Sequence, residues 1–220
     1  MIYMIVAGGN VDIEFTKGFF REFDGIPLFV IACDKGYEAC EEMEIRPNLV
    51  VGDFDSAGGS AADRAKEAGI EVVQLNPIKD DTDTEAALDI AIGRSTKYDE
   101  IYLLGASGTR LDHTMGNIAL LGKGLVNDRV VILQDPHNRI EMITAGETYA
   151  ILADDQFGKY VSVFPYMGPV RGLKMKGFKY PLEDCKLEGF NTLTVSNELE
   201  DYEGIITIEK GFLIVMQTRD

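Results

Sequence analysis

Residues 49–56 have the sequence LVVGDFDS, a short apolar run that ends in a glycine and two aspartates. The apolar run is typical of a buried strand in a parallel sheet, and the glycine allows the chain to leave that strand sharply. Asp53 and Asp55 are two positions apart, so both carboxylates project to one side of an extended segment. Carboxylates just past a strand end are typical ligands of a hard cation, which in turn binds phosphate oxygens.

A second acidic cluster, residues 79–83 with the sequence KDDTD, follows the next apolar run at residues 72–75. Asp80 and Asp83 are three positions apart across a helix start, where they face the same way. An isolated cluster of this kind usually caps a helix or a turn. Two clusters at strand ends instead favour a shared cation site, and phosphoryl-type transfer needs an ion that neutralises the transferring oxygens. The sequence therefore predicts a Mg²⁺-dependent phosphotransferase.

The rest of the N-terminal part alternates strand-like and helix-like segments, which predicts a mainly parallel, Rossmann-like α/β sheet with helices on both faces. The predicted strands are residues 2–6, 28–32, 49–51, 71–75, 101–104 and 130–133. The predicted helices are residues 37–44, 60–68, 82–95 and 114–121. The third of these helices begins with the capping-box pair Thr82 and Glu85. Ligands of such sheets bind outside the carboxyl ends of the strands, where both acidic clusters fall.

The pattern changes after about residue 144 to short β-rich segments separated by glycine, proline or acidic turns. The predicted strands here are residues 160–164, 173–178, 192–195, 205–209 and 212–218. We therefore expect an α/β domain over residues 1–143 and a small all-β sandwich domain over residues 144–220.

A third segment with functional residue types, residues 105–113 with the sequence GASGTRLDH, follows a predicted strand. Its glycines and hydroxyls suit a loop whose amides turn toward an anion near a helix start; they are Gly105, Ser107, Gly108 and Thr109. Arg110 could pair with a phosphate in a forked geometry. Asp112 could accept a hydrogen bond from a substrate amine or hydroxyl, and His113 either moves a proton or hydrogen-bonds the loop.

Composition limits the other functional classes. The chain has 220 residues and a formal net charge of −16, which disfavours nucleic acid and anionic membrane surfaces as partners. No apolar run approaches the length of a membrane span. Three cysteines without a Cys-x-x-Cys pair indicate a reduced, cytoplasmic protein. The motifs of P-loop kinases, dinucleotide-binding folds, zinc proteases and Gly-x-Ser-x-Gly hydrolases are absent from the sequence.

Four motifs in this order resemble the thiamine pyrophosphokinase family; they are residues 52–56, 79–83, 105–117 and 195–198. The resemblance extends over nearly the whole chain, including the change from α/β to β-rich sequence. It implies transfer of an intact diphosphate from ATP to the hydroxyethyl oxygen of thiamine, giving thiamine diphosphate and AMP. It also implies a homodimer with thiamine between the α/β domain of one subunit and the β domain of the other.

The resemblance implies roles for individual residues. Mg²⁺ would be held by Asp53, Asp55 and Asp83, with Asp80 close by, and Arg110 and Asp112 would complete the catalytic set. The nucleotide would contact Asp34, Ser56, Lys79, Thr82, Gly105, Ser107, Gly108, Thr109, Arg110 and His113. Thiamine would contact Asp112 and Asn117, and Ser196 and Asn197 from the partner subunit.

Two departures from the family pattern stand out. Some relatives stack a tryptophan on thiamine, whereas this chain has none, and Phe190 or Tyr202 could supply the aromatic surface. Lys35 replaces a glycine in the Asp-Gly-Gly-like segment that begins at Asp34.

Two other interpretations fit the same residues. The first is another Mg²⁺-dependent nucleotide phosphotransferase or hydrolase that uses the same carboxylates. The second is a thiamine- or metal-binding module without catalytic activity, which does not explain why acidic residues gather at several strand ends.

Overall fold

The described part of the chain, residues 1–54, 60–76 and 81–220 of a computed structural model, separates into two units with different strand arrangements. The first unit spans residues 1–136 and the second residues 137–220. The predicted domain boundary after residue 143 lies inside a strand, Asn138–Thr144. That strand pairs along its whole length with the last strand of the chain, so it belongs to the second unit.

The first unit alternates strands and helices. Its strands are β1 (Ile2–Val6), β2 (Leu28–Cys33), β3 (Leu49–Gly52), β4 (Glu71–Gln74), β5 (Glu100–Leu104) and β6 (Val130–Gln134). Its helices are α1 (Ile13–Glu22), α2 (Lys35–Glu42), α3 (Ser60–Glu67), α4 (Asp83–Arg94) and α5 (Leu111–Val126). The strands pair in parallel in the order β4-β3-β2-β1-β5-β6, which confirms the predicted parallel sheet.

Both faces of this sheet are covered. Met4 and Ile5 are neighbours on β1 and point to opposite faces, yet neither side chain is exposed to solvent. Burial on both faces explains why the strands read as continuous apolar runs rather than alternating ones. None of the helices in the described residues is long and apolar enough to cross a membrane.

Three helices differ from the sequence-based prediction. Helix α2 spans Lys35–Glu42 rather than residues 37–44. Helix α1 was not predicted, although Asp12 caps it by accepting a hydrogen bond from the Phe15 amide at 2.8 Å. Helix α5 begins at Leu111 rather than at residue 114, which places Asp112 and His113 in its first turn. Helix α4 begins as predicted, because the Thr82 side chain accepts a hydrogen bond from the Glu85 amide at 3.2 Å.

The second unit is built from antiparallel strands. They are β7 (Asn138–Thr144), β8 (Thr148–Leu152), β9 (Tyr160–Lys176), β10 (Leu182–Leu187), β11 (Asn197–Glu198), β12 (Glu203–Thr207) and β13 (Lys210–Thr218). Strand β13 lies between β7 and β9, and β12 lies between β9 and β8. Strands β10 and β11 also pair with β9.

The C-terminal prediction was right about class and wrong about several elements. Residues 160–164 and 173–178 were predicted as two strands but belong to the one long strand β9, which pairs with β13 early and with β10 and β12 later. The change of partner accommodates the prolines and glycines that we interpreted as a break. The strand predicted at residues 192–195 is wrong, because that segment forms turns. Strands β7, β8, β10 and β11 were not predicted.

Candidate functional site

Three aspartates from separate elements of the first unit meet at the carboxyl edge of its sheet. Asp34 follows β2, Asp53 follows β3, and Asp83 is the first residue of α4. One carboxylate oxygen from each lies within 4.8 Å of the other two, and all three side chains are half-buried. A group of converging carboxylate oxygens is the ligand set that a hard divalent cation prefers.

The structure thus brings together two of the predicted metal ligands, Asp53 and Asp83, and adds Asp34, which the resemblance assigned to the nucleotide. The other predicted residues of the two acidic clusters, Asp55, Ser56, Lys79 and Asp80, lie outside the described residues.

The backbone holds Asp34 in an unusual conformation. Its φ of 45° lies in the left-handed region that non-glycine residues rarely adopt. Its amide donates to the Val51 carbonyl at 3.0 Å, which ties the end of β2 to β3. A Cβ atom at Gly52 would lie 3.4 Å from Asp34 atoms, which shows that the end of β3 is in direct contact with Asp34. Strained backbone of this kind is commonly found at functional sites.

Asp53 is positioned by the residue that follows it. Phe54 has a φ of 57° and a side chain that is only 4% exposed, packed in the apolar core of the first unit. The buried ring anchors the chain just after β3, and the positive φ turns the backbone away from the strand direction. The acidic side chain therefore stays at the sheet edge while its neighbour enters the core.

A cavity of about 650 Å³ lies beside these aspartates. The loops after β1, β2 and β5 line it together with the start of α4, and both Asp34 and Asp83 contribute to its wall. Strand β1 pairs with β2 on one side and β5 on the other, so the order of strands reverses at this point of the sheet. Ligands of open α/β sheets bind at such a reversal.

Two glycine-containing loops form one wall of the cavity through backbone contacts. The Gly9 amide donates to the Gly105 carbonyl at 3.0 Å, and the Asn10 amide donates to the Ser107 carbonyl at 3.1 Å. A Cβ atom at Gly9 would lie 2.4 Å from the Gly105 carbonyl oxygen, a distance that real Cβ atoms do not adopt. Gly8 and Gly9 do not complete a dinucleotide-binding motif, and they were not among the predicted site residues. Their position directly after the first strand was the available signal.

The predicted residues of the glycine loop, residues 105–109, line the cavity. Ser107 of this loop and Asn117 of α5 form hydrogen bonds within the protein. The Ser107 hydroxyl donates to Asp135 at 2.6 Å, and Asp135 is a buried residue after β6 that sequence reasoning missed. The side-chain amide of Asn117 donates to the Ala106 carbonyl at 2.7 Å. These two contacts hold the loop in position. Gly105, Gly108, Thr109 and His113 also face the cavity.

Arg110 and Asp112 pair with one another at the rim of the site. Arg110 Nε donates to Asp112 Oδ1 at 3.2 Å, and both side chains are largely exposed. The hydrogen bond from Arg110 lowers the pKa of Asp112 to about 2, with a smaller contribution from the His113 amide. Because the pKa is lowered in the folded state, any stabilisation from this pair is present above about pH 4 and is lost as the pH falls toward 2.

We expect replacement of Arg110 by glutamine to raise the pKa of Asp112 from about 2 toward its ordinary value of 3.8, because the charged donor is lost. The pKa of Asp112 in both proteins would be measured from carboxyl carbon chemical shifts in NMR spectra recorded between about pH 1.5 and about pH 6. This range covers roughly two units on either side of an ordinary carboxyl pKa. Asp99, whose pKa of about 2 depends chiefly on the amino terminus, is an internal control. An Asp112 that still titrates near 2 in the variant would show that Arg110 does not hold it.

The fourth sequence motif, residues 195–198, contains Ser196 and Asn197 and lies beside β9 in the second unit. The Asn197 side chain is buried, accepts a hydrogen bond from the Tyr180 amide at 3.0 Å and donates to the Tyr180 carbonyl at 2.8 Å. Ser196 is exposed and has a φ of 58°. Of the two aromatic candidates, Tyr202 hydrogen-bonds Asp154 through its hydroxyl, whereas the ring of Phe190 is fully exposed.

Comparisons with known proteins agree on one family. A model described as "Thiamin pyrophosphokinase, catalytic domain" matches residues 27–133, and one described as "Thiamin pyrophosphokinase, vitamin B1 binding domain" matches residues 148–213. The thiamine pyrophosphokinase of Bacillus subtilis (strain 168) is 36% identical over 190 residues, which cover 86% of this chain and 87% of that protein.

Solved structures give the same result. A crystal structure of thiamine pyrophosphokinase from Bacillus subtilis matches with a TM-score of 0.87 and 33% identity, covering 100% of both chains. The corresponding protein from Geobacillus thermodenitrificans matches with a TM-score of 0.85 and 32% identity, covering 100% of this chain and 98% of that chain.

Proposed function

The chain belongs to the thiamine pyrophosphokinase family, and we propose that it transfers the diphosphate of ATP to the hydroxyethyl oxygen of thiamine with Mg²⁺ as cofactor. The products are thiamine diphosphate and AMP. The observation that carries the proposal is the convergence of three carboxylates beside a cavity of about 650 Å³ at the reversal point of the sheet. A binding module would not need this arrangement of acidic groups.

The three carboxylates fit Mg²⁺, since their oxygens come within 4.8 Å of one another and all are hard ligands. Asp34, Asp53 and Asp83 would hold the ion. The family resemblance supplies Asp55 as a further ligand and implies that Asp80 is close by. When bound there, Mg²⁺ neutralises charge on the phosphate oxygens of the transferring group.

The nucleotide occupies the cavity. The amides of the glycine loop, from Gly105 to Thr109, face it and donate to phosphate oxygens, as such loops do at strand ends. Ser56, Lys79 and Thr82 complete the nucleotide contacts implied by the family pattern. Arg110 exchanges its pairing with Asp112 for a phosphate oxygen when the nucleotide enters, because the pair is exposed and held only weakly.

Transfer proceeds by in-line attack of the thiamine hydroxyl oxygen on the β-phosphorus of ATP. A bond forms between these atoms, the bond from the β-phosphorus to the oxygen that bridges it to the α-phosphorus breaks, and AMP leaves with that oxygen. Positioning of the two substrates supplies much of the acceleration. Once Arg110 has turned to the phosphate, Asp112 is free to accept a hydrogen bond from thiamine. His113, which lines the cavity, receives the hydroxyl proton.

Thiamine lies between two subunits of a homodimer in this proposal. Asp112 and Asn117 approach it from one subunit, and Ser196 from the other. Asn197 acts by fixing the segment through its two hydrogen bonds to Tyr180. Phe190 provides the stacking surface in place of a tryptophan, because its ring is fully exposed and that of Tyr202 is tied to Asp154 through its hydroxyl.

The proposal also includes finer features of fold and location. The reversed strand order supports a Rossmann-like first unit. The change of partner along β9, with buried side chains from β9, β12 and β13 in one cluster, supports a sandwich in the second. A reducing, cytoplasmic location is supported by three cysteines that form no disulfide in the described structure.

The test is a product assay with ATP, Mg²⁺ and thiamine in which ³¹P NMR resolves AMP, ADP and thiamine diphosphate. We expect AMP and thiamine diphosphate to appear in equal amounts, and neither to form without thiamine. ADP as the product, or AMP formed without thiamine, would identify another phosphotransferase or a hydrolase. Thiamine binding without any turnover of ATP would identify a binding module.

A further inference from the structure

Lys35 is a cationic residue in the wall of the cavity. It is the first residue of α2, its side chain is exposed, and it lines the cavity beside Asp34 and Gly8. Within the described residues it takes part in no ion pair. Arg110, which also lines the cavity, is paired with Asp112. Of the two long cationic side chains among the described residues that line the cavity, Arg110 is paired with a carboxylate and Lys35 is not.

The backbone around Lys35 fixes where its side chain starts. A Cβ atom at Gly36 would lie 2.0 Å from the Val6 carbonyl oxygen, so the first turn of α2 packs directly on the end of β1. On the other side, a Cβ atom at Gly8 would lie 3.6 Å from the Lys35 Cβ atom, and glycine leaves that space open. The lysine stem therefore lies next to the glycine turn after β1, and both line the cavity.

The charges of this site create a need for such a cation. Three carboxylates converge at the cavity edge in a chain of net charge −16, and the polyphosphate of a nucleotide adds further negative charge. A divalent ion offsets part of that repulsion. An ammonium group that contacts phosphate oxygens directly offsets more of it, and its charge is not shared with the carboxylates.

We propose that Lys35 binds the phosphate oxygens of the nucleotide substrate directly, as a cation that acts independently of the metal ion. The proposal rests on the proposed function in that the cavity is taken to hold a nucleoside polyphosphate. It adds a substrate-binding residue at a position where the family pattern has glycine. It also predicts that this lysine makes the site bind phosphorylated nucleotides more tightly than nucleosides.

The test compares Lys35→Ala and Lys35→Arg with the unchanged protein by calorimetric binding of ATP, AMP and adenosine. Each titration is run with Mg²⁺ and again with EDTA, in the absence of thiamine. Lys66→Ala is the matched control, because Lys66 is an exposed lysine of α3 that does not line the cavity.

We expect Lys35→Ala to weaken ATP binding about tenfold, the usual effect of losing one charge-assisted hydrogen bond at an exposed site. The loss should appear both with Mg²⁺ and with EDTA, adenosine binding should not change, and Lys35→Arg should retain most of the affinity. Lys66→Ala should bind all three ligands normally.

Three results would overturn the proposal. Unchanged ATP binding by Lys35→Ala would show that the lysine makes no phosphate contact. Equal losses for ATP and adenosine would show that the substitution disturbs the cavity as a whole. A loss seen with Mg²⁺ but not with EDTA would show that it acts through its neighbour Asp34. Because binding is measured without thiamine, these results are independent of whether the protein forms AMP.

Discussion

Replacement of Asp83 or Asp53 by asparagine is expected to lower the rate of AMP formation at least about 10³-fold while the protein remains folded. Each substitution removes one of the three carboxylates that converge within 4.8 Å, with little change in side-chain volume. Loss of an ion that stabilises transferring phosphate oxygens costs several kcal/mol of transition-state stabilisation, which corresponds to this fall in rate. The measurement is turnover with saturating ATP, thiamine and Mg²⁺.

Folding should be preserved because three neighbouring carboxylates repel each other when no cation is bound. The melting temperatures of the variants without Mg²⁺ should therefore stay close to that of the unchanged protein, whereas the stabilisation by Mg²⁺ with nucleotide should be lost. Asp63→Asn is a matched control, because Asp63 lies in the first turn of α3 as Asp83 lies in the first turn of α4. Near-normal turnover by a folded Asp83→Asn or Asp53→Asn variant would contradict the assignment of the site.

Replacement of Gly9 by alanine is expected to reduce kcat/KM for ATP about 100-fold. The added Cβ atom would lie 2.4 Å from the Gly105 carbonyl oxygen and 2.8 Å from that of Ser107, so the two loops must move apart. Their separation breaks the backbone hydrogen bonds from Gly9 and Asn10 and displaces the two loops that line the proposed nucleotide cavity. A displacement of about 1 Å in such groups is enough for an effect of this size.

The control for this substitution is Gly18→Ala in α1. Nothing lies within 4 Å of a Cβ atom at Gly18, so alanine should leave activity unchanged and stabilise the helix by about 0.5–1 kcal/mol. Thermal unfolding of Gly9→Ala establishes that the variant is folded before kinetics are compared. A folded Gly9→Ala variant with an unchanged kcat/KM for ATP would show that contact between the two loops does not shape the nucleotide site.

The parallel sheet was predictable because burial on both faces leaves a local signature. Strands such as β1 and β3 are apolar runs with a glycine at or soon after their end, and helix α4 is marked by its cap Thr82. These signals depend on residues close in sequence. The meeting of Asp53 with Asp83 was predicted from the rule that ligands of parallel sheets bind at the carboxyl ends of the strands, whereas the strand order was not predicted.

The features that were missed depend on contacts between distant residues. Asp135 is separated from Ser107 along the chain, and no local pattern marks it as the acceptor of that hydroxyl. Asp34 joins the acidic group through a positive φ that its sequence does not indicate. Strand β9 continues through prolines and glycines because successive partner strands pair with it, which only the assembled second unit reveals.

The most direct test of the central claim is a crystal structure of the protein with Mg²⁺ and an ATP analogue that cannot be cleaved between the α- and β-phosphates. We predict an ion whose ligands include oxygens of Asp34, Asp53 and Asp83 at about 2.1 Å, with analogue phosphates completing its coordination in the cavity. An ion bound elsewhere, or a nucleotide outside this cavity, would contradict the account.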